Sequence, residues 1–322
     1  MRRRSVALVF AALVGQAALT GCSATTHATQ PSALGAAKRS ADLLAVIDQP
    51  GPIESDAVVA CDWAVKRSGV LNLDSPRAKQ AGLKDEDEPV QVFFHVIKHP
   101  RFGTFLIDTG VEVALRDAPA KAAMRGLVAS EMHIEKMRFQ NPLGDWLKAH
   151  PEPIRGVFFT HIHVDHVAGA PDLPKSTPIY TGPGEASEKG GVHFFTQSNI
   201  DRALDGLPPI SEWGFRPDAD GRFEGVLDVF GDGSFWALYT PGHTRGSTSY
   251  VARTAKGAVL FTGDTSHTRW GWQNEVEPGG FTSDHEANLK SLIRLKRLAT
   301  EHPTMEVRLG HQSFREEIKP TP

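Results

Sequence analysis

Residues 160–169 read Thr-His-Ile-His-Val-Asp-His-Val-Ala-Gly and crowd three imidazoles and one carboxylate into six positions, from His161 to His166. A soluble helix or strand gains nothing from that pattern alone. His161 and His163 are two residues apart, so on an extended chain they point the same way, while Asp165 and His166 follow where the chain must turn. Two imidazoles reach one point, and a carboxylate with an imidazole reaches a neighbouring one. Zinc is usually held by His nitrogen and Asp or Glu oxygen at about 2.0–2.2 Å, with one position left open in catalytic sites. The motif therefore supplies half of two such sites.

Candidates for the other half lie further along, each at the end of an apolar strand where a sheet presents its loops around a common rim. They are His243 in YTPGHTRGS, Asp264 in LFTGDT and His311 in RLGHQ. With His161, His163, Asp165 and His166 they make seven ligands, three for each of two divalent cations and one carboxylate to bridge them. His95, His99, His133 and His302 show no comparable placement and read as surface or satisfied core residues.

The rest of the body reads as strands interrupted by helix. PVQVFFHVIKHP alternates apolar side chains at Val90, Val92, Phe94 and Val96, and GTFLIDTG follows a turn, which predicts a hairpin. From Val113 to about His150 the spacing is helical, broken near Asn141-Pro142, and IRGVFF is a short strand feeding the histidine motif. Residues 182–225 read as a polar, aromatic excursion of the kind that shapes a cleft. Its Phe194, Phe195, Trp213 and Phe215, with Trp270 and Trp272, are candidate pocket walls. GVLDVF and SFWALYT predict a second hairpin and STSYVAR and AVLFTGD a third. Ser283 with Glu286 predicts a capping box ahead of an amphipathic helix through Leu289, Leu292, Ile293, Leu295 and Leu298, and MEVRLGH a last strand. Strands and helices in this order imply an α/β sandwich, sheets covered by helices on their outer faces. At 322 residues and 40% hydrophobic the chain can bury a sizeable core, and a net charge of -3 offers no electrostatic case for nucleic acid.

The first segment, MRRRSVALVFAALVGQAALTGC, has three arginines, an apolar run and then small residues, which reads as a secretory signal over residues 1–21. Its apolar part, Val6 to Thr20, is shorter than the roughly 20 residues of a membrane-spanning helix. Leu19-Thr20-Gly21-Cys22 resembles the lipobox of bacterial lipoproteins, where cleavage precedes a cysteine whose sulfur carries diacylglycerol; the alternative is an ordinary signal with a chance cysteine. Lipidation of Cys22 implies export and anchoring at a membrane of the bacterial cell envelope. Cys61 is then left without a partner and reads as a buried structural thiol. Residues 22–50, rich in Ala, Ser and Thr, are expected to be a flexible tether, and residues 51–322 the catalytic domain.

FLIDTG, THIHVDHVAG, TPGHTRG, FTGD and GHQ, in that order, resemble the metallo-β-lactamase-fold hydrolases from about residue 56 to the C-terminus. That resemblance implies an αββα sandwich of two mixed sheets with two metal ions, zinc above all, at one edge. His161, His163 and His243 would bind one ion, Asp165, His166 and His311 the other, and Asp264 would bridge. Asp108 of DTG matches an aspartate that steadies the site by hydrogen bonding to the ligands, or else caps the strand end as a turn residue.

Two bound ions imply hydrolysis by hydroxide at neutral pH. Diiron flavoprotein relatives carry glutamate where this chain has His163, which argues against redox chemistry. Asp264 argues against a penicillin hydrolase, since the β-lactamases of this fold have cysteine there or lack the bridging acid. The short QSFREEIKPTP after His311 argues against glyoxalase II, and the absence of a basic arm against a transfer-RNA nuclease.

The resemblance is closest to the N-acyl-homoserine lactone lactonases that quench quorum signals. Those enzymes place a tyrosine shortly after the bridging aspartate, and the matching residue in GDTSHT is His267. Asp165 and His267 are the candidate catalytic residues. His267 could donate a hydrogen bond or proton, mark another substrate, or be a surface residue of a loop. A lactone or other ester is the expected substrate; the alternatives are a thioester or β-lactam hydrolase, or a lipid-anchored metal- or ligand-binding protein without turnover.

Overall fold

A computed structural model of the chain describes residues 22–314, so the signal-peptide reading of residues 1–21 falls outside the described residues. The strands in chain order are β1 (Thr29–Pro31), β2 (Ala36–Lys38), β3 (Glu54–Lys66), β4 (Asp87–His99), β5 (Gly103–Ile107), β6 (Arg138–Phe139) and β7 (Ile154–Phe158). They continue with β8 (Ile179–Thr181), β9 (Ile210–Glu212), β10 (Gly225–Asp228), β11 (Phe235–Tyr239), β12 (Thr248–Thr254), β13 (Gly257–Phe261) and β14 (Glu306–Arg308). One sheet has the order β1-β9-β8-β7-β5-β4-β3-β6 and the other β14-β13-β12-β11-β10-β2. Both are mixed. β3, β4 and β5 pair antiparallel while β5, β7, β8 and β9 run parallel, and β10 to β13 form an antiparallel meander to which β14 adds in parallel.

Strand periodicity explains the layering. Phe105 and Ile107 of β5, Phe158 of β7, and Phe235 and Ala237 of β11 point into the space between the sheets, where Trp213 stacks on Tyr180 with ring centroids 5.0 Å apart. Their neighbours point the opposite way, as the two-residue repeat requires. Val90, Val92, Phe94, Val96 and Leu106 face an outer layer of helices that includes Leu143, Val167, Ile200 and Leu204. Trp236, Leu238 and Val251 face Leu292, Leu295 and Leu298 of the helix His285–Glu301. Helix, sheet, sheet, helix is the αββα sandwich.

The three expected hairpins form with the expected partners. Elsewhere the structure corrects the sequence reading. The long helical stretch after Val113 is three short helices, Val113–Asp117, Leu127–Glu131 and Leu143–Ala149, separated by irregular turns. The His285–Glu301 helix is capped by Asp284, whose side chain accepts from Ala287 N, and not by Ser283. Most consequential, residues 22–50 are not a flexible tether. β1 pairs with β9, β2 pairs with β10, and the helix Ser40–Leu44 leads into a turn that buries Leu43 and Ile47 completely. The composition misled because β1 and β2 lie at sheet edges with every side chain exposed. Such strands are held through their backbones, so Ala, Ser and Thr serve as well as apolar residues. The folded body thus begins at the first described residues, not near residue 51.

Candidate metal centre

The residues singled out by sequence all leave strands at one edge. Asp108 follows β5, Thr160 and His161 follow β7, Asp264 follows β13 and His311 follows β14. β11 and β13 flank antiparallel β12 and so run the same way, which brings His243, four residues past β11, to the same rim as Asp264.

Two quartets share one carboxylate there. His161, His163, His243 and Asp264 offer donor atoms within 4.8 Å of one another, and so do Asp165, His166, His311 and Asp264. Asp264 Oδ2 lies 3.2 Å from His166 Nε2, 3.3 Å from His311 Nε2, and 3.5 Å from both His161 Nε2 and His243 Nε2. His163 Nδ1 is 2.9 Å from His243 Nε2. Donors bound at about 2.1 Å with tetrahedral angles would be about 3.4 Å apart, so the set is spaced as ligands of small cations are.

A surrounding shell aims these nitrogens. His166 Nδ1 donates to Asp108 Oδ2 at 2.8 Å and His311 Nδ1 to the Gln91 carbonyl at 2.9 Å, which turns each Nε2 inward. Asp108 also accepts from Thr160 N at 2.8 Å and Thr160 Oγ1 at 2.9 Å, from a left-handed backbone at φ 56°. The two readings of Asp108 thus describe one residue: it ties the end of β7 and orients His166 together. Gly310 is required by crowding, since a Cβ there would sit 2.1 Å from Asp264 Oδ1.

The electrostatics calls for positive charge. Burial, reinforced by the neighbouring histidines, holds His161 and His243 well below the usual imidazole range and His163 down to about 4, so these three present lone pairs. Burial also pulls down on His166 and His311, but Asp264 and Asp165, joined at His166 by Asp108, outweigh it and hold both well above that range. Three carboxylates draw protons onto whatever base is nearest, a demand that bound cations would meet. His161 Nε2 and Asp264 Oδ1 are buried without any hydrogen-bond partner. Orphaned donors, spacing and charge all fit divalent cations shared across Asp264.

Residues 87–301, two thirds of the chain, match the metallo-β-lactamase superfamily. The chain belongs to that superfamily. It is therefore a metal-dependent hydrolase, with its His/Asp cluster at the edge of the sandwich. An N-acyl homoserine lactonase AttM from Azorhizobium caulinodans is 26% identical over 257 residues, 76% of this chain and 90% of that one. An N-acyl homoserine lactonase from Bacillus cereus is 29% identical over 214 residues, 65% of this chain and 76% of that one. Among solved structures, a Bacillus thuringiensis AiiA variant with N-decanoyl-L-homoserine bound at its active site superposes with a TM-score of 0.57. It shares 20% identity and covers 83% of this chain and 99% of its own; at that identity the likeness speaks for the fold.

In this metallo-β-lactamase fold all seven candidate ligands meet at one place, with Asp108 behind them. His267 also reaches it: the ring is buried, with Nε2 2.7 Å from Asp264 Oδ2 and Nδ1 3.2 Å from the Val70 carbonyl. It is no surface residue. The aromatic candidates for pocket walls disperse. Trp213 is part of the core between the sheets and Trp272 of the outer core. Phe215 stacks on Tyr239, and Phe194 and Phe195 are exposed.

The sequence reading missed Glu185. Its buried carboxylate accepts from Ile162 N at 2.9 Å, Thr244 Oγ1 at 2.8 Å and Gly246 N at 2.8 Å. It ties the loop holding His161 and His163 to the loop holding His243. A lone Glu in a polar, glycine-rich stretch carries no local signal of that role.

Proposed function

We propose that the protein opens a lactone or a related ester, of the N-acyl-homoserine lactone kind, with two divalent cations, zinc foremost, shared across Asp264. The observation that carries this reading is the pair of quartets meeting at one buried carboxylate. The likeness to N-acyl homoserine lactonases over three quarters of the chain supports the substrate class. When bound, the cations supply hydroxide from water at neutral pH and polarise the carbonyl under attack.

The chain's own residues do the rest. His161, His163 and His243 would hold one cation, and Asp165, His166 and His311 the other. Glu185 and Asp108 keep the two sets in register from behind. Asp165 is the cluster's most accessible carboxylate, its side chain 15% exposed against 3% for Asp264. It is therefore placed to take the proton that water gives up on becoming hydroxide and to hand it to the departing alkoxide. His267 lies against Asp264 where the related lactonases carry tyrosine, its Nε2 2.7 Å from Oδ2, and its other ring nitrogen is tied to the Val70 carbonyl.

The test is a metal-loaded preparation assayed against lactones, thioesters, phosphodiesters and β-lactams, beside Asp264→Ala. Lactone opening that Asp264→Ala loses by at least a hundredfold is expected. Full activity in that variant would sink the bridging role, and stoichiometric metal without turnover of any substrate would sink the enzyme reading for these classes. We further propose export and anchoring in the cell envelope through acylated Cys22, supported by the Leu19-Thr20-Gly21-Cys22 sequence.

A further inference from the structure

Cys22 has no slack between it and the folded body. Ser23 bridges to Lys189, and its carbonyl and hydroxyl lie 2.6 Å and 3.0 Å from Gln197 Nε2. Ala24 N donates to the Glu188 carbonyl at 2.9 Å, Thr25 N to the Ala186 carbonyl at 3.2 Å, and Ala24 is fully buried. One residue of chain reaches at most about 3.6 Å, so a lipid on Cys22 holds the start of the helix Gly191–Leu204 against whatever the lipid is embedded in.

The two most exposed phenylalanines among the described residues sit at that helix start, ahead of Phe281 at 51%. Phe194 is 68% and Phe195 57% exposed, their rings 5.3 Å apart and edge to face. Phe194 and Gln197 are three apart on the helix and share a face. Leu127, 61% exposed, lies on the helix Leu127–Glu131 that packs against this one, and Lys189 and Arg125 beside them are exposed cations. Aromatic and aliphatic side chains flanked by cations suit the boundary between lipid headgroups and acyl chains. Among the described residues no helix is long and apolar enough to cross a membrane.

We propose that the face carrying Phe194, Phe195 and Leu127 seats on the surface of the bilayer to which Cys22 is anchored. The proposal rests on the acylation of Cys22 and goes beyond it, because an anchor alone leaves the body's orientation free. The seating puts the metal centre beside the membrane: His193, which precedes Phe194, has its ring 6.4 Å from that of His163. An acyl-chain substrate dissolved in the bilayer then meets the histidine cluster without first crossing bulk water.

The test uses the full, exported chain in vesicles of phosphatidylethanolamine and phosphatidylglycerol. Spin labels are placed at Phe194→Cys, Phe195→Cys and, as a control on the opposite layer, Ile293→Cys, itself 46% exposed. Cys61 is buried, with its thiol pushed up by that burial, and will not take label. Labels at 194 and 195 are expected to collide several-fold more with membrane-dissolved oxygen, relative to a water-soluble nickel chelate, than the label at 293. An acylated Cys22 by peptide mass with all three labels equally aqueous overturns the seating and leaves the anchor standing. Labels at 194 and 195 shielded from both collision partners mean that a second protein surface covers the face, which also overturns it. Cys22 found without lipid overturns the anchor and the seating together.

Discussion

At the scale of single residues, Glu185 and Glu112 are buried carboxylates with different work. Glu185 satisfies two backbone N–H groups and a hydroxyl that would otherwise be buried without partners, each worth about 1–3 kcal/mol if orphaned. Glu185→Ala should therefore lower stability by about 3 kcal/mol and loosen the ligand loops, weakening metal binding about 10- to 100-fold. Glu185→Gln, which keeps one acceptor oxygen, should recover part of both. Denaturant melts and chelator competition read the two effects; wild-type metal affinity in Glu185→Ala would remove the bracing role. Glu112 is buried and accepts from Ala123 N at 2.6 Å, and burial pushes its carboxyl from 4.5 up to about 7. Between those values the folded state binds more protons than the unfolded, so this group's contribution to stability falls as pH rises through that window, by about 3 kcal/mol in all. Glu112→Gln should flatten that fall, giving a smaller difference in urea midpoint between pH 5 and pH 8 than in the parent.

At the scale of elements, the edge strands matter as much as the central ones. β1 and β2 close the exposed edges formed by β9 and β10, and the segment that follows buries Leu43 and Ile47. A chain shortened to begin at Gly51 loses both side chains from the outer core, each worth about 2–5 kcal/mol, and uncovers two strand edges. We expect it to unfold at least 4 kcal/mol more easily in urea and to aggregate at concentrations where the longer chain stays dispersed. An unchanged urea midpoint would restore the tether reading. The strands between the sheets were legible because Phe105, Ile107, Phe235 and Ala237 alternate with residues buried on the other face. β1 and β2 were not, because exposed strands held by their backbones leave no apolar pattern to read.

For the whole molecule, the cluster joins loops from both sheets, and cations bound there would couple the layers. A ligand held only by the folded state stabilises it by about 2.7 kcal/mol when present at 100 times its dissociation constant. For a domain of this size each kcal/mol moves Tm by roughly 2–4 °C. Stripping metal with a strong chelator should lower Tm by several degrees, restoring zinc should return it, and Asp264→Ala should show little of that response. Equal melting curves with and without chelator for a preparation shown to contain metal would argue against a centre shared by both sheets.

The sequence by itself determined the fold class and named the seven side chains that the fold brings together at one rim. His161, His163, Asp165 and His166 form a local pattern, and His243, Asp264 and His311 each end an apolar strand, so chemistry and periodicity were both written along the chain. Tertiary structure alone decided which side chains brace that set, where the folded body begins and which face stays uncovered. Glu185 acts through Ile162, Thr244 and Gly246, residues far apart in the chain. The first strands are held by backbone hydrogen bonds that any side chain permits. Phe194 and Phe195 look in sequence like Trp213, which the fold buries between its sheets. Whether an aromatic is core or surface depends on which neighbours the chain brings to it, and those contacts are not local. For that reason the same excursion that promised pocket walls yields one core residue and an exposed apolar edge beside Cys22.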